Sequence, residues 1–275
     1  MRIAYITCVY PPYPGGIGVL AQGMATEMAR RGYETVVITP PPLKAITVED
    51  PAAGIRSAGG PAPARSAAVE VRYYTPWLRY GNAAWMPKLV SALHGFEVVH
   101  FLYPFFGAAE MLPLIRKRTG AKIVLHHTMD AASVGLRGMI FRVYNRTFMP
   151  RIFKQAHVMI TLSEDYFRDC DITNVYENFP DAPPIEFVPN GVDINLFRPA
   201  QKLPPTPYPL PTILFASGLD RAHYFKGVHV LIEAMRMLKE QGVKCRAWII
   251  GDGKMRKEYA AHVQEIGLSN VEFLG

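Results

Sequence analysis

The first forty residues contain the feature that most constrains the fold. The run Ile3–Thr7 is short, apolar and β-branched, which is typical of a strand buried on both faces. Gly15, Gly16 and Gly18 follow it, and apolar residues at helical spacing then predict a helix that ends at Gly32. A strand, a turn and a helix in this order gather free backbone N–H groups at the positive end of the helix. The sequence therefore predicts a site that can bind a phosphate group.

The alternation of strand and helix continues along the chain. Strands are predicted at Val36–Thr39, Val69–Tyr74, Glu97–Leu102, Lys122–His127 and His157–Thr161, and helices at Ala84–His94 and Ala108–Arg118. Such alternation implies a parallel, doubly wound α/β sheet, in which ligands bind at the carboxyl ends of the strands. The Pro/Ala/Gly-rich segment 40–68 lacks periodicity and is predicted to be a mobile surface loop.

A second alternation begins after a proline-rich stretch, which divides the chain into three parts. We expect an N-terminal Rossmann-like domain at 1–197, a linker at 198–211 and part of a second Rossmann-like domain at 212–275. In the second domain, strands are predicted at Thr212–Ala216, Cys245–Ile250 and Val271–Leu274, and helices at Lys226–Gln241 and Met255–Ile266. Three strands make a marginal sheet with an open edge, so this domain is expected to be unfinished.

The charge and the cysteines indicate the kind of partner and the compartment. A net charge of +7 favours anionic partners such as nucleotides or phospholipid surfaces. Nucleic acid is not expected as a partner, because no block of like charges is present. The three cysteines lack metal-binding or redox spacing, and we find neither a secretory signal nor a membrane span. We therefore expect a soluble, cytoplasmic protein.

The glycine turn has three interpretations. The motif Gly16-Ile-Gly18-Val-Leu-Ala21 fits the pattern of nicotinamide and flavin binders, but these folds also need a carboxylate at the end of the second strand. Here that strand ends in Ile38-Thr-Pro-Pro-Pro42, which contains no acidic residue. We favour contact with a donor phosphate or an acceptor over tight helix–strand packing and over a dinucleotide cofactor.

Two histidines and an aspartate follow the strand that ends at His127. One histidine together with Asp130 could position a sugar hydroxyl or stabilise charge, whereas His126, His127 and Asp130 together could hold a metal ion. Adjacent side chains on a strand point to opposite faces. We therefore favour one functional histidine and expect no metal.

Cations and glycines recur in the second alternation. Lys226 is predicted to open a helix at a strand end, where a cation suits a diphosphate; the alternative is a solvated lysine at a slightly unfavourable position. Gly251 and Gly253 form another strand–turn–helix pair, which is non-specific by itself. Gly138–Gln155 is predicted to be a basic amphipathic helix. It could lie on an anionic membrane, or it could pack on the core with a solvated basic edge.

Several motifs in this order carry a family resemblance. They are Gly15-Gly-Ile-Gly18, Val188-Pro-Asn-Gly-Val-Asp193 with Phe197-Arg-Pro199, Gly218-Leu-Asp-Arg-Ala-His-Tyr-Phe-Lys-Gly227, and Ile249-Ile-Gly-Asp-Gly253 with Val271-Glu-Phe-Leu-Gly275. Together they resemble glycosyltransferase family 4, whose members are retaining enzymes of the GT-B fold. The resemblance implies two Rossmann-like domains that face a cleft, a nucleotide-sugar donor of UDP or GDP type on the second domain, and an acceptor on the first. It implies no cofactor beyond that donor.

The resemblance also assigns roles by position. The turn Gly15–Gly18 matches the loop that approaches the donor phosphate and the acceptor. His127 matches the active-site histidine of the first domain, and Asp130 lies near it in the sequence. Lys226 matches the diphosphate-binding lysine, with Arg221 as a second cation. Gly251 and Gly253 belong to the donor side.

The family's pair of donor-binding glutamates would fall beyond Gly275, so the resemblance implies an N-terminal piece of an enzyme. The expected reaction is retaining transfer of a hexose from a nucleoside diphosphate sugar to a hydroxyl of a glycan or lipid-linked acceptor. These 275 residues alone are expected to be inactive or nearly so. The alternative is a non-catalytic module that binds an acceptor or a partner and ignores UDP and GDP.

Overall fold

The computed structural model describes residues 1–13, 15–42, 69–130, 135–194, 197–199 and 210–275. These residues form two compact units, Met1–Phe197 and Arg198–Gly275. Most of the predicted loop at 40–68 and most of the predicted linker at 198–211 lie outside the described residues.

The first unit is built on a parallel sheet. Its strands are β1 (Arg2–Ile6), β2 (Glu34–Thr39), β3 (Glu70–Tyr73), β4 (Leu78–Tyr80), β5 (Ala83–Trp85), β6 (Val98–Tyr103), β7 (Lys122–His127), β8 (Val158–Thr161) and β9 (Ile185–Phe187). Its helices are α1 (Gly16–Arg30), α2 (Leu89–Ala92), α3 (Leu112–Thr119), α4 (Gly135–Thr147), α5 (Met149–Phe153), α6 (Glu164–Arg168) and α7 (Thr173–Glu177). Seven strands form the sheet in the order β3-β2-β1-β6-β7-β8-β9, while β4 and β5 form a separate antiparallel hairpin.

The central strand β1 is buried on both faces, as its apolar sequence predicts. Ala4 and Ile6 belong to the core on one side of the sheet, whereas Ile3 and Tyr5 belong to the core on the other side. Helix α1 packs on this second side and ends at Arg30, two residues before Gly32, whose φ of +88° lies in the left-handed region. The predicted strand–turn–helix unit is therefore confirmed.

The predicted helix Ala84–His94 is wrong. The hairpin β4–β5 takes its first residues, and only the short helix α2 remains. The hairpin forms because Gly81 and Asn82 supply the turn, with Gly81 at φ +57°, and aromatic residues flank it on both strands. The predicted helix Gly138–Gln155 is two helices, α4 and α5. Pro150 lies in the first turn of α5, where a proline is tolerated, so the longer helix is interrupted just before it.

The second unit contains a three-stranded parallel sheet. Its strands are β10 (Thr212–Ala216), β11 (Arg246–Ile250) and β12 (Val271–Phe273), and its helices are α8 (Val228–Glu240) and α9 (Arg256–Glu265). The helices pack on the sheet through a core that includes Val228, Ile232 and Met235 from α8 and Ala247 and Ile249 from β11. The strands and helices predicted from the sequence are all present, within a few residues of their predicted ends.

Among the helices that the structure describes, none is both long enough and apolar enough to cross a bilayer.

Candidate functional site

The glycine turn after β1 combines one open position with two packed ones. Gly15 caps α1, and a Cβ there would lie 3.0 Å from the Tyr13 ring. Gly18 is buried, and a Cβ there would lie 3.0 Å from the carbonyl oxygen of Val9. Gly16 is exposed, and a Cβ there would meet no atom within 4 Å. Tight packing, one of the three interpretations, therefore accounts for Gly15 and Gly18, while the backbone at Gly16 is accessible to a ligand.

The start of α1 is electrostatically suited to an anion. Its first turn contains no acidic residue, and Arg30 lies in its last turn. The Gly18 N–H donates to the Gly15 carbonyl oxygen, whereas the N–H groups of Gly16 and Ile17 have no preceding helical turn to donate to, so the positive end of the helix dipole faces outward at Gly16. This arrangement is favourable for a phosphate.

His127 and Asp130 form a hydrogen-bonded pair at the end of β7. The His127 side chain is buried, and its Nε2 lies 3.2 Å from Oδ1 of Asp130. The other carboxylate oxygen of Asp130 accepts a hydrogen bond from the backbone N–H of Asp171 at 2.7 Å. Burial alone would raise the pKa of Asp130, but the hydrogen bonds from His127 and Asp171 outweigh it and hold that pKa below its usual range. Asp130 is thus kept ionised and orients the His127 ring.

His126 lies on the opposite face of the sheet and has a different partner. Its Nδ1 lies 3.0 Å from Nε2 of His100, and the His100 ring stacks on Tyr5. Burial, together with the neighbouring histidine, lowers the pKa of His100 to about 3; burial and the adjacent His127 lower the pKa of His126 to about 4. Both rings are therefore neutral at pH 7, and they form part of the core between β1, β6 and β7.

A third potential ligand lies beside the His127–Asp130 pair. Ligand atoms of His127, Asp130 and Cys170 all lie within 4.8 Å of one another. The Cys170 thiol donates to the carbonyl oxygen of Tyr166 at 3.1 Å. Burial and the Asp130 carboxylate raise the pKa of this thiol to about 12, which favours the protonated thiol over a metal-binding thiolate.

Three neighbours of the His127–Asp130 pair are not predicted from the sequence: Tyr166, Cys170 and Asp171. Asp171 follows Asp130 by 41 positions, and tertiary packing alone brings its N–H to the carboxylate. Tyr166 and Tyr103 flank the His127 ring at centroid distances of 6.2 and 6.1 Å. Tyr103 was predicted to lie at this edge because it ends the strand β6, whereas no local motif marks Tyr166.

The turn after β11 packs closely against the backbone of the turn after β10. A Cβ on Gly251 would lie 1.8 Å from the carbonyl oxygen of Ser217, and a Cβ on Gly253 would lie 2.4 Å from the carbonyl carbon of Leu219. The Leu219 N–H donates to the carbonyl oxygen of Asp252 at 2.9 Å, and the Met255 N–H donates to Leu219 in return. Both glycines are thus required for the close packing of two turns.

The predicted cations of the second unit are exposed at the same edge of its sheet. A 3₁₀ helix, Arg221–Lys226, separates β10 from α8. Lys226 ends this segment and does not open α8 as predicted, because Gly227 adopts a left-handed φ of +85° between the two helices. The Lys226 Nζ lies 5.0 Å from the centre of the Phe225 ring. Both Arg221 and Lys226 are therefore accessible to an anionic ligand.

The structure thus gathers the predicted site residues into two groups. Gly16, His127 and Asp130 lie at the carboxyl edge of the sheet in the first unit, whereas Arg221 and Lys226 follow β10 in the second. Each group lies where ligands bind in parallel α/β sheets.

Comparisons with known proteins match both units to glycosyltransferase families. The model of the family Glycosyl transferases group 1 matches residues 210–275. The D-rhamnosyltransferase WbpZ of Pseudomonas aeruginosa is 26% identical over 179 residues, which cover 64% of this chain and 42% of WbpZ. The chain thus spans less than half the length of that curated relative.

Solved structures show a shared fold at low identity. A glycosyltransferase from Rickettsia africae matches with a TM-score of 0.63 and 14% identity, over 100% of this chain and 68% of that one. The catalytic domain of starch synthase IV from Arabidopsis thaliana, bound to ADP and acarbose, matches with a TM-score of 0.62 and 14% identity, over 100% and 74%. The fold is therefore of the GT-B type, as the resemblance implies.

The remaining comparison concerns the first unit. The model of Glycosyltransferase Family 4 matches residues 14–196, more than half of the chain and nearly the whole of this unit. The matched range contains the glycine turn and the His127–Asp130 pair. The chain belongs to Glycosyltransferase Family 4.

Proposed function

We propose that the protein is a retaining glycosyltransferase that moves a hexose from a nucleoside diphosphate sugar, of UDP or GDP type, to a hydroxyl acceptor. The single observation that carries the proposal is the tandem match of two glycosyltransferase families, at residues 14–196 and 210–275 of one chain. Retention and the donor class follow from the family resemblance. We propose no metal and no cofactor beyond the donor itself.

The donor side of the reaction needs a stabilised leaving group. As the bond between the anomeric carbon and the diphosphate breaks, negative charge develops on the leaving oxygen. The exposed ammonium group of Lys226, with Arg221 as a second cation, is suited to bind that charge. The open backbone at Gly16 is suited to a phosphate or an acceptor oxygen.

The acceptor side needs an oriented hydroxyl in a largely dry environment. Asp130 holds the His127 ring in one orientation, and the rings of Tyr103 and Tyr166 flank His127. We propose that this pair positions the acceptor hydroxyl as its oxygen forms the new bond to the anomeric carbon and its proton passes to the leaving diphosphate. No protein nucleophile is assigned.

The exposed face of α4 supports a lipid-linked or membrane-surface acceptor. Met139, Ile140 and Val143 are at least half exposed, and Arg142 and Arg146 are exposed on the same helix. Apolar side chains beside cations are typical of helices that lie on anionic bilayers. We propose peripheral contact through residues 138–155, on the cytoplasmic face of a membrane. Co-sedimentation with vesicles that does not depend on anionic lipid would contradict this contact.

Nucleotide binding is the test of the proposed function. UDP and GDP are titrated into the 275-residue chain by calorimetry, with NADH as a negative control. We expect one of the two nucleotides to bind, and Lys226→Ala to weaken that binding about tenfold or more, since a charge-assisted contact to the diphosphate is lost. Because the chain spans 42% of WbpZ, we expect little turnover from these residues alone.

The matched control is Lys244→Ala. Lys244 is also exposed in the second unit but precedes β11, at the opposite edge of the sheet from Lys226. It should leave nucleotide affinity unchanged. If neither UDP nor GDP binds, the non-catalytic binding module becomes the better explanation for this chain, and NADH binding would favour an oxidoreductase.

A further inference from the structure

The hairpin β4–β5 has two chemically different faces. Its strands pair Leu78 with Trp85, Arg79 with Ala84 and Tyr80 with Ala83. Because side chains alternate along each strand, Leu78, Tyr80 and Trp85 share one face, while Arg79 and Ala84 share the other. We call the face with Arg79 and Ala84 the inner face, and the face with Leu78, Tyr80, Ala83 and Trp85 the outer face.

The inner face is held against the first unit at the edge where the candidate site lies. The Arg79 guanidinium donates a hydrogen bond to the carbonyl oxygen of Pro41, just beyond β2. The Ala84 N–H donates to the carbonyl oxygen of Phe106, just beyond β6, at 2.9 Å. A Cβ on Gly107 would lie 2.6 Å from the Ala84 oxygen, so this loop packs directly on the hairpin. The hairpin is therefore a fixed part of the carboxyl edge of the sheet.

The outer face is exposed and aromatic. Leu78 is 74% exposed, Tyr80 80% and Trp85 44%, and the adjoining Trp77 is 77% exposed. The backbone N–H of Trp77 donates a hydrogen bond to the carbonyl oxygen of Trp85 at 2.9 Å, which holds Trp77 to the hairpin. Exposed apolar side chains that share one face, as Leu78, Tyr80 and Trp85 do, mark a binding site more often than scattered single residues do.

The chemistry of the outer face indicates its occupant. Tryptophan and tyrosine rings offer flat, rigid, amphipathic surfaces that lose little entropy on binding. A pyranose ring is a matching partner, because it carries C–H groups on its faces and hydroxyls around its rim. We propose that the outer face, with Trp77, binds uncharged sugar rings of a glycan acceptor; this rests on the proposed glycosyl transfer and names its acceptor class.

Charge separates this surface from the exposed face of α4. The outer face carries no charged side chain, because Leu78, Tyr80, Ala83 and Trp85 compose it. On α4, by contrast, arginines accompany the exposed aliphatic residues. An anionic lipid surface is complementary to α4, whereas a neutral glycan is complementary to the hairpin.

Tryptophan fluorescence tests the proposal without a substitution. Of the three tryptophans, Trp77 and Trp85 belong to the hairpin region and Trp248 to the second unit. Neutral oligosaccharides of mannose, glucose and rhamnose are titrated into the chain while acrylamide quenching is followed. We expect at least one of them to protect the tryptophans from quenching. Unchanged quenching with all three would overturn the proposal.

Substitutions then locate the binding. The variant Trp77→Ala/Tyr80→Ala changes the two most exposed aromatic residues, and we expect it to weaken oligosaccharide binding about tenfold or more. The control Leu114→Ala/Met237→Ala removes exposed apolar groups from α3 and α8, which lie outside both proposed binding surfaces, and should leave that binding unchanged. If the double variant fails to fold, Trp77→Ala and Tyr80→Ala are tested singly. Equal affinity of wild type and hairpin variants would contradict the proposal.

Two further measurements separate the competing explanations. Vesicles of phosphatidylglycerol are added in place of the oligosaccharides, and vesicle binding that is lost in the hairpin variant would overturn the proposal in favour of a membrane surface. UDP and GDP binding is measured on the same variants. Nucleotide binding without oligosaccharide binding would refute the acceptor site while leaving the proposed function intact.

Discussion

The carboxyl edges of the two sheets look alike in the sequence and differ in the structure. At each edge, a strand is followed by closely spaced glycines and then by a helix. In the first unit Gly16 is open, and buried polar side chains, His126 and His127, end the strand β7. In the second unit Gly251 and Gly253 are in direct contact with the turn after β10, and the polar side chains around them are exposed.

One pattern of glycines can therefore serve two physical purposes. A glycine can leave backbone N–H groups accessible to a ligand, or it can let two backbones approach more closely than a Cβ allows. The first purpose predicts that substitution affects binding, and the second predicts that it affects stability. Substitutions of the glycines separate the two purposes, and a pH experiment tests the buried polar end of β7.

The largest effect is expected from Gly251→Ala. A Cβ at this position would lie 1.8 Å from the Ser217 oxygen, and its φ of +139° is unfavourable for a residue with a side chain. We expect the free energy of unfolding of the second unit to fall by about 3 kcal/mol or more. Thermal unfolding followed by the fluorescence of Trp248 measures the loss.

Gly23→Ala is the control for this substitution. Gly23 is exposed in α1, where a Cβ would meet no atom within 4 Å, so alanine should maintain or slightly raise stability. An unfolding temperature of Gly251→Ala equal to that of the wild type would show that the turn relaxes, and the contrast between the two edges would disappear.

The next effect is a loss of stability in mild acid, caused by the hydrogen-bonded histidines His100 and His126 of the first unit. His100 and His126 have pKa values lowered to about 3 and about 4, whereas histidines in the unfolded chain titrate near 6.5. The unfolded state therefore binds more protons below pH 6.5. The pair's contribution is complete above that pH and is lost progressively as the pH falls toward 4 and 3. We expect each of the two histidines to lower the free energy of unfolding by up to about 2 kcal/mol between pH 7 and pH 5.

Urea unfolding across this pH range measures the loss, and the double variant His100→Leu/His126→Leu should flatten the profile. His94→Leu, which replaces an exposed histidine, should leave the profile as it is in the wild type. A pH dependence that persists in the double variant would mean that other groups cause it.

The smallest effects are expected within the first glycine turn. Gly18→Ala would place a Cβ 3.0 Å from the Val9 oxygen, and we expect it to cost about 1 kcal/mol. Gly16→Ala has open space, so we expect a change in stability within about 0.5 kcal/mol. Denaturant unfolding of the two variants, side by side, measures the difference. A larger loss for Gly16→Ala than for Gly18→Ala would reverse our assignment of the open and packed positions.

Local patterns sufficed for much of the fold. The apolar run of β1, the helical spacing of α1 and the stop at Gly32 predicted that unit correctly, because each signal lies within a few residues. The hairpin β4–β5 was missed, since its strands are only three residues long and its apolar residues also fit a helix. The short helices α6 and α7 were missed for the same reason of length.

The candidate site divides in the same way. From the sequence, one of the two adjacent histidines was paired with Asp130 because both lie at the end of one strand, and the family resemblance pointed to His127. The N–H of Asp171 and the thiol of Cys170 were not predicted, because they reach Asp130 only through the packing of a later segment.

Sequence patterns alone predict the alternation of strands and helices, the parallel sheets and the positions of the glycines and cations. These depend on periodicity and turn chemistry, which act over a few residues. Tertiary packing sets which glycines are open and which are packed, and which of the adjacent histidines lies beside Asp130. Those outcomes depend on distances between segments far apart in the chain, and such distances are set when the whole core packs.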